Sequence, residues 1–107
     1  MFARILEFIP RLEMKEEFIN LVKKEVLPIL KKQTGFLEIL PFIPELKDEK
    51  MITVSIWTEK AHLERYEREV FPKVEEILKP YLKTPMVFGN YTLETTLCEH
   101  FVQTLAA

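Results

Sequence analysis

Two glutamates and one histidine are the candidate general bases of this 107-residue chain. Glu7 and Glu38 interrupt the apolar, strand-like runs FARILEFI (2–9) and FLEILPFIP (36–44). A carboxylate in apolar surroundings is costly unless it is paired or protonated, and its pKa often rises. Either glutamate is therefore a candidate base, with a structural ion pair as the alternative. His62 stands near the start of a predicted helix, whose dipole favours a neutral, proton-accepting imidazole; simple surface exposure is the alternative.

Two aromatic residues with polar ends are the candidate substrate-binding residues. Trp57, the only tryptophan, ends a strand-like run, and Tyr66 lies on the apolar face of the helix that follows. A buried indole N–H or phenol needs a hydrogen-bond partner, which a ligand can supply. The alternatives are that Trp57 plugs the joint between strand and helix and that Tyr66 is an ordinary core residue.

Several classes of chemistry lack the residues they need. Cys98 and His100 are two nearby ligands, short of the three or four that zinc requires, so we expect no metal site. With two glycines in the chain, a phosphate-binding loop is nearly excluded, and no Ser/His/Asp motif is present. We therefore expect no cofactor.

Composition and charge limit the partners. Fifteen basic residues against seventeen acidic ones give a net charge of −2, without the basic excess typical of nucleic-acid binding. No apolar run approaches the ~18 residues of a membrane span, and the N-terminal MFARILEF carries charges that a signal peptide would lack. The single cysteine fits a reducing compartment, so we expect a cytoplasmic protein without membrane or nucleic-acid partners.

Hydrophobic periodicity predicts the element order β-α-β-β-α-β, an α+β ferredoxin-like fold with a four-stranded antiparallel sheet and two helices on one face. We expect a kink or break at Pro28, a C-cap at Gly35, an N-cap at Thr58 and a split at Pro72. The predicted strands and helices span residues 2–9, 14–35, 36–44, 51–57, 59–81 and 86–97. They form one domain over 1–96, and the 97–107 tail either packs on a partner subunit or closes a pocket.

The predicted strands are apolar on both faces, which predicts a homodimer. Strict alternation puts Phe36, Leu40 and Phe42 on one face of the second strand and Leu37, Ile39 and Ile43 on the other. Two helices cover only one face, and the other would leave a larger apolar patch than monomers tolerate. We therefore expect two subunits to pack sheet to sheet, unless loops or the tail cover that face.

The whole pattern resembles the antibiotic-biosynthesis-monooxygenase-like family of dimeric α/β barrels. The resemblance covers residues 2–96 and rests on EVLPILKKQTGFLEI (25–39), ITVSIWTEKAHLERYEREVFPKV (52–74) and LKPYLKTPMVFGNYTLET (78–95). It implies a fold in which two ferredoxin-like subunits join their sheets. Members include cofactor-free oxygenases of polycyclic phenols, haem-degrading enzymes and isomerases.

Position by position, the resemblance argues against the haem branch. The strand asparagine of that branch falls near Glu7, its helical tryptophan at Tyr66, and its histidine near Glu75 or Glu76, so no axial ligand is available. In the cofactor-free oxygenases, tryptophan and tyrosine line the pocket as Trp57 and Tyr66 would here. The resemblance thus implies a cofactor-independent monooxygenase or isomerase acting on a small aromatic or enolisable substrate. The alternative is a non-catalytic dimeric protein that binds a small apolar or aromatic ligand, or a stress-type protein.

Overall fold

The computed structural model describes residues 1–98, which form one antiparallel sheet of four strands with helices packed on one side. The sheet order is β2-β3-β1-β4, so the predicted ferredoxin-like fold is confirmed. Most of the predicted 97–107 tail lies outside the described residues. The elements are β1 (Phe2–Phe8), α1 (Lys15–Leu21), a π-helical segment (Val22–Val26), α2 (Leu27–Lys31), β2 (Phe36–Phe42), β3 (Met51–Trp57), α3 (Lys60–Glu69), α4 (Phe71–Leu78) and β4 (Val87–Thr92).

The first helix passes through Pro28 because the irregularity lies one turn upstream. Leu27 N–H donates to Val22 O, five residues back, and Pro28 then occupies the first turn of α2. Proline has no N–H and crowds the carbonyl four residues before it, and a widened π turn accommodates both defects. The helix ends at Lys31 with Lys32 as its C-cap, so the prediction that Gly35 caps it is wrong. Gly35 instead takes a left-handed φ of 85° directly before β2.

The second helix is split before Pro72, as predicted. The α3 helix ends at Glu69, and α4 begins at Phe71 with Pro72 in its first turn, where a missing N–H costs nothing. The predicted N-cap at Thr58 is wrong because α3 begins one residue later, with Glu59 at that position. The Thr58 N–H donates to the carbonyl of Gly35 at 2.8 Å, which ties the start of β2 to the end of β3.

A bulge in β2 changes the faces that strict alternation predicts. Phe36 pairs with Trp57 on β3, and the register then shifts before Glu38, so that Leu40 pairs with Val54. One extra residue moves everything beyond it to the other face. Phe36 therefore packs on the helix side, and the prediction that it shares a face with Leu40 is wrong.

The side of the sheet away from the helices, called the open face below, is apolar apart from two glutamates. Directly paired residues share a face, so each strand contributes three residues to it. The prediction of strands that are apolar on both faces is confirmed. The open face consists of Ala3, Ile5, Glu7, Glu38, Leu40, Phe42, Ile52, Val54, Ile56, Val87, Gly89 and Tyr91.

The end of the chain departs from the predicted final strand. That strand was expected over 86–97, but β4 ends at Thr92 and a short 3₁₀ turn follows at Thr95–Leu97. Leu93 N–H still donates to Met1 O at 2.9 Å, holding the segment beside β1. Within residues 1–98, no helix combines the length and apolar character needed to cross a membrane.

Candidate functional site

A small cavity lies between the sheet and the helices. Its volume of about 40 Å³ leaves room for about three water molecules, at roughly 10–15 Å³ each. The π-helical segment and α2 form one wall, β1 and β3 the floor, and α3 and α4 the remaining side. Its lining is mainly aliphatic and contains one charged group: Arg4, Leu6, Phe8, Val22, Val26, Leu30, Ile39, Thr53, Ser55, Tyr66, Val74 and Leu78.

Arg4 brings that charge to the helix side of β1, where strand alternation places it with Phe2 and Leu6. The residue is only 2% exposed. Its Cζ lies 3.9 Å from the ring centroid of Phe71 and 4.7 Å from that of Phe88, within cation–π range. Among residues 1–98, no protein atom accepts a hydrogen bond from Nε, Nη1 or Nη2. Arg4 is therefore a buried cation with unused donors.

Electrostatics at Arg4 follow from that burial. Loss of solvation lowers the pKa of Arg4, and attraction to Glu67, Tyr66 and Glu75 partly opposes the change. An arginine stays protonated at physiological pH even so, because its ordinary pKa is far above neutral. The cavity therefore carries a permanent positive charge in a poorly solvated setting.

Tyr66 contributes a neutral phenol to the same cavity. Burial raises the pKa of Tyr66 to about 12, and the nearby Arg4 charge only partly opposes this. The Arg4 Cζ lies 5.9 Å from the Tyr66 ring centroid. At neutral pH the phenol is protonated, so it suits hydrogen-bond donation to a ligand oxygen rather than proton abstraction.

Trp57 packs against Tyr66 but lies outside the cavity lining. It is fully buried, and its Nε1–H donates to Ser55 Oγ at 3.0 Å. Ser55 Oγ lies 3.5 Å from the Arg4 carbonyl oxygen, which it faces as donor. The Trp57 and Tyr66 rings lie 5.1 Å apart, but Trp57 does not line the cavity. Its geometry fits the plug between strand and helix, while its predicted contact with substrate stays a prediction.

The two glutamates lie on the opposite side of the sheet. Glu7 is on the open face, where its Oε1 is 2.7 Å from Lys50 Nζ, and Glu38 is exposed on edge strand β2. The sheet therefore separates both carboxylates from Arg4 and Tyr66. Their role as bases stays a prediction, and within one chain it does not connect to the cavity.

His62 also lies outside the cavity. Its Nε2 is 3.7 Å from Glu59 Oε2, and its ring covers Gly35, where an added Cβ would come within 2.5 Å of His62 Cδ2. The predicted base role of His62 is untested by this geometry, which gives the residue a packing function at the start of β2.

Metal and haem ligands are not gathered in the described part of the chain. Within residues 1–98, no three His, Cys, Asp or Glu side chains lie close enough to hold a metal ion. Glu75 and Glu76, where the resemblance would place a haem ligand, are exposed on α4. Arg4 is the site residue that the candidate list omits. The signal was present, because alternation in FARILEF puts Arg4 on the same face as Phe2, Leu6 and Phe8.

This architecture is that of antibiotic-biosynthesis-monooxygenase-like proteins, so the resemblance read from the sequence is confirmed in the fold. A single-residue mutant of SnoaB, a cofactor-independent oxygenase from Streptomyces nogalater, superposes with a TM-score of 0.75 at 18% identity, covering 92% of this chain and 97% of that one. A putative antibiotic biosynthesis monooxygenase from Caulobacter crescentus gives 0.72 at 9% identity, covering 87% and 90%. A conserved protein from Methanosarcina mazei gives 0.70 at 18% identity, covering 88% and 94%. No protein-family model matches the sequence, and no curated protein matches it significantly.

Proposed function

We propose that this protein is a cofactor-independent oxygenase or isomerase that binds a small aromatic or enolisable substrate in the cavity between sheet and helices. One observation carries the proposal: among residues 1–98, the mainly apolar cavity lining includes one cation, Arg4, which has no close anionic partner and lies beside the neutral phenol of Tyr66. Such a site stabilises an oxyanion far better than water-exposed groups do. The fold shared with SnoaB agrees with this chemistry but does not establish it.

Stabilising a substrate anion serves both reactions. A positive charge next to the substrate oxygen lowers the pKa of the neighbouring C–H or O–H group, so the proton leaves more easily. In an isomerase the proton returns at a different carbon. In an oxygenase the anion gives one electron to O₂, and the two radicals combine to form a peroxide. Among residues 1–98 no carboxylate or imidazole lines the cavity, so the substrate proton passes to a water molecule that enters with the substrate.

The cavity volume limits the size of the substrate. About 40 Å³ admits a small enolisable compound, while a fused-ring phenol enters only if the helices move away from the sheet. The π-helical segment forms part of the cavity wall, and π segments recur at functional sites. We therefore favour the smaller substrate class.

Proton exchange and oxygen uptake test the proposal separately. Small ketones and oxo acids incubated in D₂O should lose their acidic C–H signals faster with protein. Quinols or anthrone should consume O₂, without added metal, flavin or haem, only if the helices move away from the sheet to admit them. Tyr66→Phe should slow either reaction, whereas Tyr81→Phe, outside the cavity, should not. The absence of protein-dependent reaction across both panels would remove the proposal.

A non-catalytic ligand-binding protein is the second candidate. Its support is the position of Glu7, Glu38 and His62, none of which lines the cavity. On this view ligands raise the thermal unfolding midpoint, yet neither C–H exchange nor O₂ uptake accelerates.

We also propose that the protein forms a homodimer through its open faces. Four strands spaced about 4.8 Å apart and six residues of about 3.4 Å span roughly 400 Å² per subunit. Ala3 and Ile56, in the middle two strands, are already buried within one chain, so this area is an upper value. That is about half of a standard interface, which buries about 800 Å² per partner. Exposed Ile43 and Leu46, which follow β2, supply further apolar area. The occupant is a second copy because each subunit offers the other the same mainly apolar face, on which ten of the twelve residues are uncharged.

A further inference from the structure

Arg4 has hydrogen-bonding capacity that the protein does not use. A guanidinium carries five N–H donors, all of them at its rim and in its plane. The Arg4 Cζ lies 3.9 Å from the ring centroid of Phe71 and 4.7 Å from that of Phe88, and the two rings are inclined at 67° to each other, so at most one of them lies parallel to the guanidinium plane. The two rings hold the cation in place, and among residues 1–98 none of its three buried nitrogens has a hydrogen-bond acceptor.

Carboxylates near Arg4 compensate its charge only from a distance. Glu67 and Glu75 attract the guanidinium, but neither forms an ion pair with it among residues 1–98. Glu67 Oε1 is already occupied by the side-chain amide of Asn90. A buried charge without a close partner is strongly destabilising. A position that keeps such a charge is better explained by a ligand than by packing.

We propose that Arg4 is the recognition group for a small organic monoanion, a carboxylate or an enolate, whose oxygens bind the guanidinium rim in the sheet–helix cavity. The proposal rests on the proposed function for the identity of the cavity as the substrate site, and it names the substrate class. Paired N–H groups of arginine match two carboxylate oxygens in parallel, which gives both affinity and orientation.

The lining determines the rest of the ligand. Of the described residues, Arg4 alone brings a charge to the cavity lining, so one negative charge is matched and a second would be buried without a partner. Val22, Val26 and Leu30 face the remaining volume, so the body of the ligand is apolar. A space for about three water molecules corresponds to about four or five non-hydrogen atoms, the size of acetate or propionate.

Titration with propionate tests this in the full chain. Propionate should raise the thermal unfolding midpoint saturably, whereas propionamide, its neutral counterpart, should not at the same sodium chloride concentration. The Arg4 Nε–H resonance of ¹⁵N-labelled protein should shift with the same saturation curve. Succinate, which carries a second charge, should bind more weakly than propionate.

Three variants separate recognition from stability. Arg4→Met keeps the length of the stem and removes the charge; it should weaken propionate binding by roughly tenfold or more, because charge-assisted hydrogen bonds are lost. Arg4→Lys keeps the charge but loses the paired donors, so its affinity for propionate should lie between those of the wild type and Arg4→Met. Arg68→Met, on the exposed surface of α3, is the matched control and should bind like the wild type.

Several results would overturn the proposal. These are a propionate response equal to that of propionamide, an unshifted Arg4 Nε–H, tighter binding of succinate, or full binding by Arg4→Met. The wild-type resonance decides the matter even where Arg4→Met does not fold. Saturable propionate binding without turnover of any substrate would support the anion site and contradict the proposed enzymatic function. Turnover of neutral substrates without propionate binding would support the enzymatic function and contradict the anion site.

Discussion

Replacing Val54 by glutamate should separate the proposed dimer into folded monomers. Val54 lies on the inner strand β3, and its side chain is on the open face between Ile5 and Leu40. In a monomer the new carboxylate faces water, so the cost to folding is limited to a lower strand propensity, about 1 kcal/mol. In a dimer joined through the open faces, two copies of the carboxylate are buried together.

The magnitude follows from the position of Val54. The side chain is already half-buried in the monomer, so its further burial contributes about 1 kcal/mol per subunit. A buried carboxylate without a partner costs about 3 kcal/mol or more. Two subunits together lose about 8 kcal/mol, which raises the dissociation constant by between about five and six decades. A nanomolar dimer would thus dissociate fully at micromolar concentration.

Sedimentation equilibrium at micromolar protein measures this directly. The wild type should sediment at twice the chain mass of 12.7 kDa, and Val54→Glu at the chain mass with an unchanged far-ultraviolet circular dichroism spectrum. Leu12→Glu, at an exposed apolar residue outside the sheet, should remain dimeric. A monomeric wild type, or a Val54→Glu variant that stays dimeric, would refute sheet-to-sheet assembly.

Three further predictions concern the groups around the cavity. Burial raises the pKa of Tyr66 to about 12 from about 10, so the native state holds the phenol proton more tightly than the unfolded state does. The free energy of unfolding should therefore be unaffected below pH 10 and fall by about 1.4 kcal/mol per pH unit between pH 10 and 12. Urea titrations measure this dependence, and Tyr66→Phe should abolish it. Gly35→Ala should destabilise the fold by about 1–3 kcal/mol through its left-handed φ alone, and by more through contact with His62. In a double-mutant cycle, His62→Ala should relieve only the part of this second contribution that comes from the ring, because the His62 Cβ, 2.6 Å from the new Cβ, remains. Ser55→Ala should cost about 1–3 kcal/mol because it leaves the buried Trp57 N–H without an acceptor, and tryptophan fluorescence follows the unfolding.

Matched controls distinguish these causes from general disturbance. Gly89→Ala places a Cβ on the open face at 3.2 Å from the Tyr91 ring, without a left-handed φ, so it should cost less than Gly35→Ala. Thr58→Ala removes an exposed hydroxyl one residue beyond Trp57 and should leave stability nearly unchanged. An equal loss of unfolding free energy in Gly35→Ala and Gly89→Ala would contradict the cost assigned to the left-handed φ. An equal loss in Ser55→Ala and Thr58→Ala would contradict the cost assigned to the unpaired Trp57 N–H.

The fold was predictable because its signals are local and agree with one another. The β-branched run MITVSIW is a strand over the whole predicted length, and Pro72 splits the second helix where its missing N–H requires. The misplaced details depend on geometry between elements. The π turn before Pro28 and the bulge before Glu38 each insert one residue into a regular pattern, and nothing in the apolar periodicity reports such an insertion.

The candidate site was harder to predict because burial depends on which face the helices cover. Glu7 and Glu38 stood out as charges among apolar residues, yet they lie on the side that a single chain leaves open. Arg4 stands in the same strand as Glu7 and falls under the helices instead. Alternation along β1 already puts Arg4 and Glu7 on opposite faces, but which of the two faces the helices cover is evident only from the structure.

The two faces of the sheet define two mutually exclusive locations for chemistry. A substrate held by Arg4 and Tyr66 lies beneath the helices, where the backbone of the sheet separates it from Glu7 and Glu38. A reaction that uses either glutamate as base must instead take place between the open faces of two subunits. Activity that falls in Arg4→Met and persists in Glu7→Gln and Glu38→Gln would place the reaction in the cavity. The reverse pattern would place it at the dimer interface, and Val54→Glu would then abolish the reaction together with the dimer.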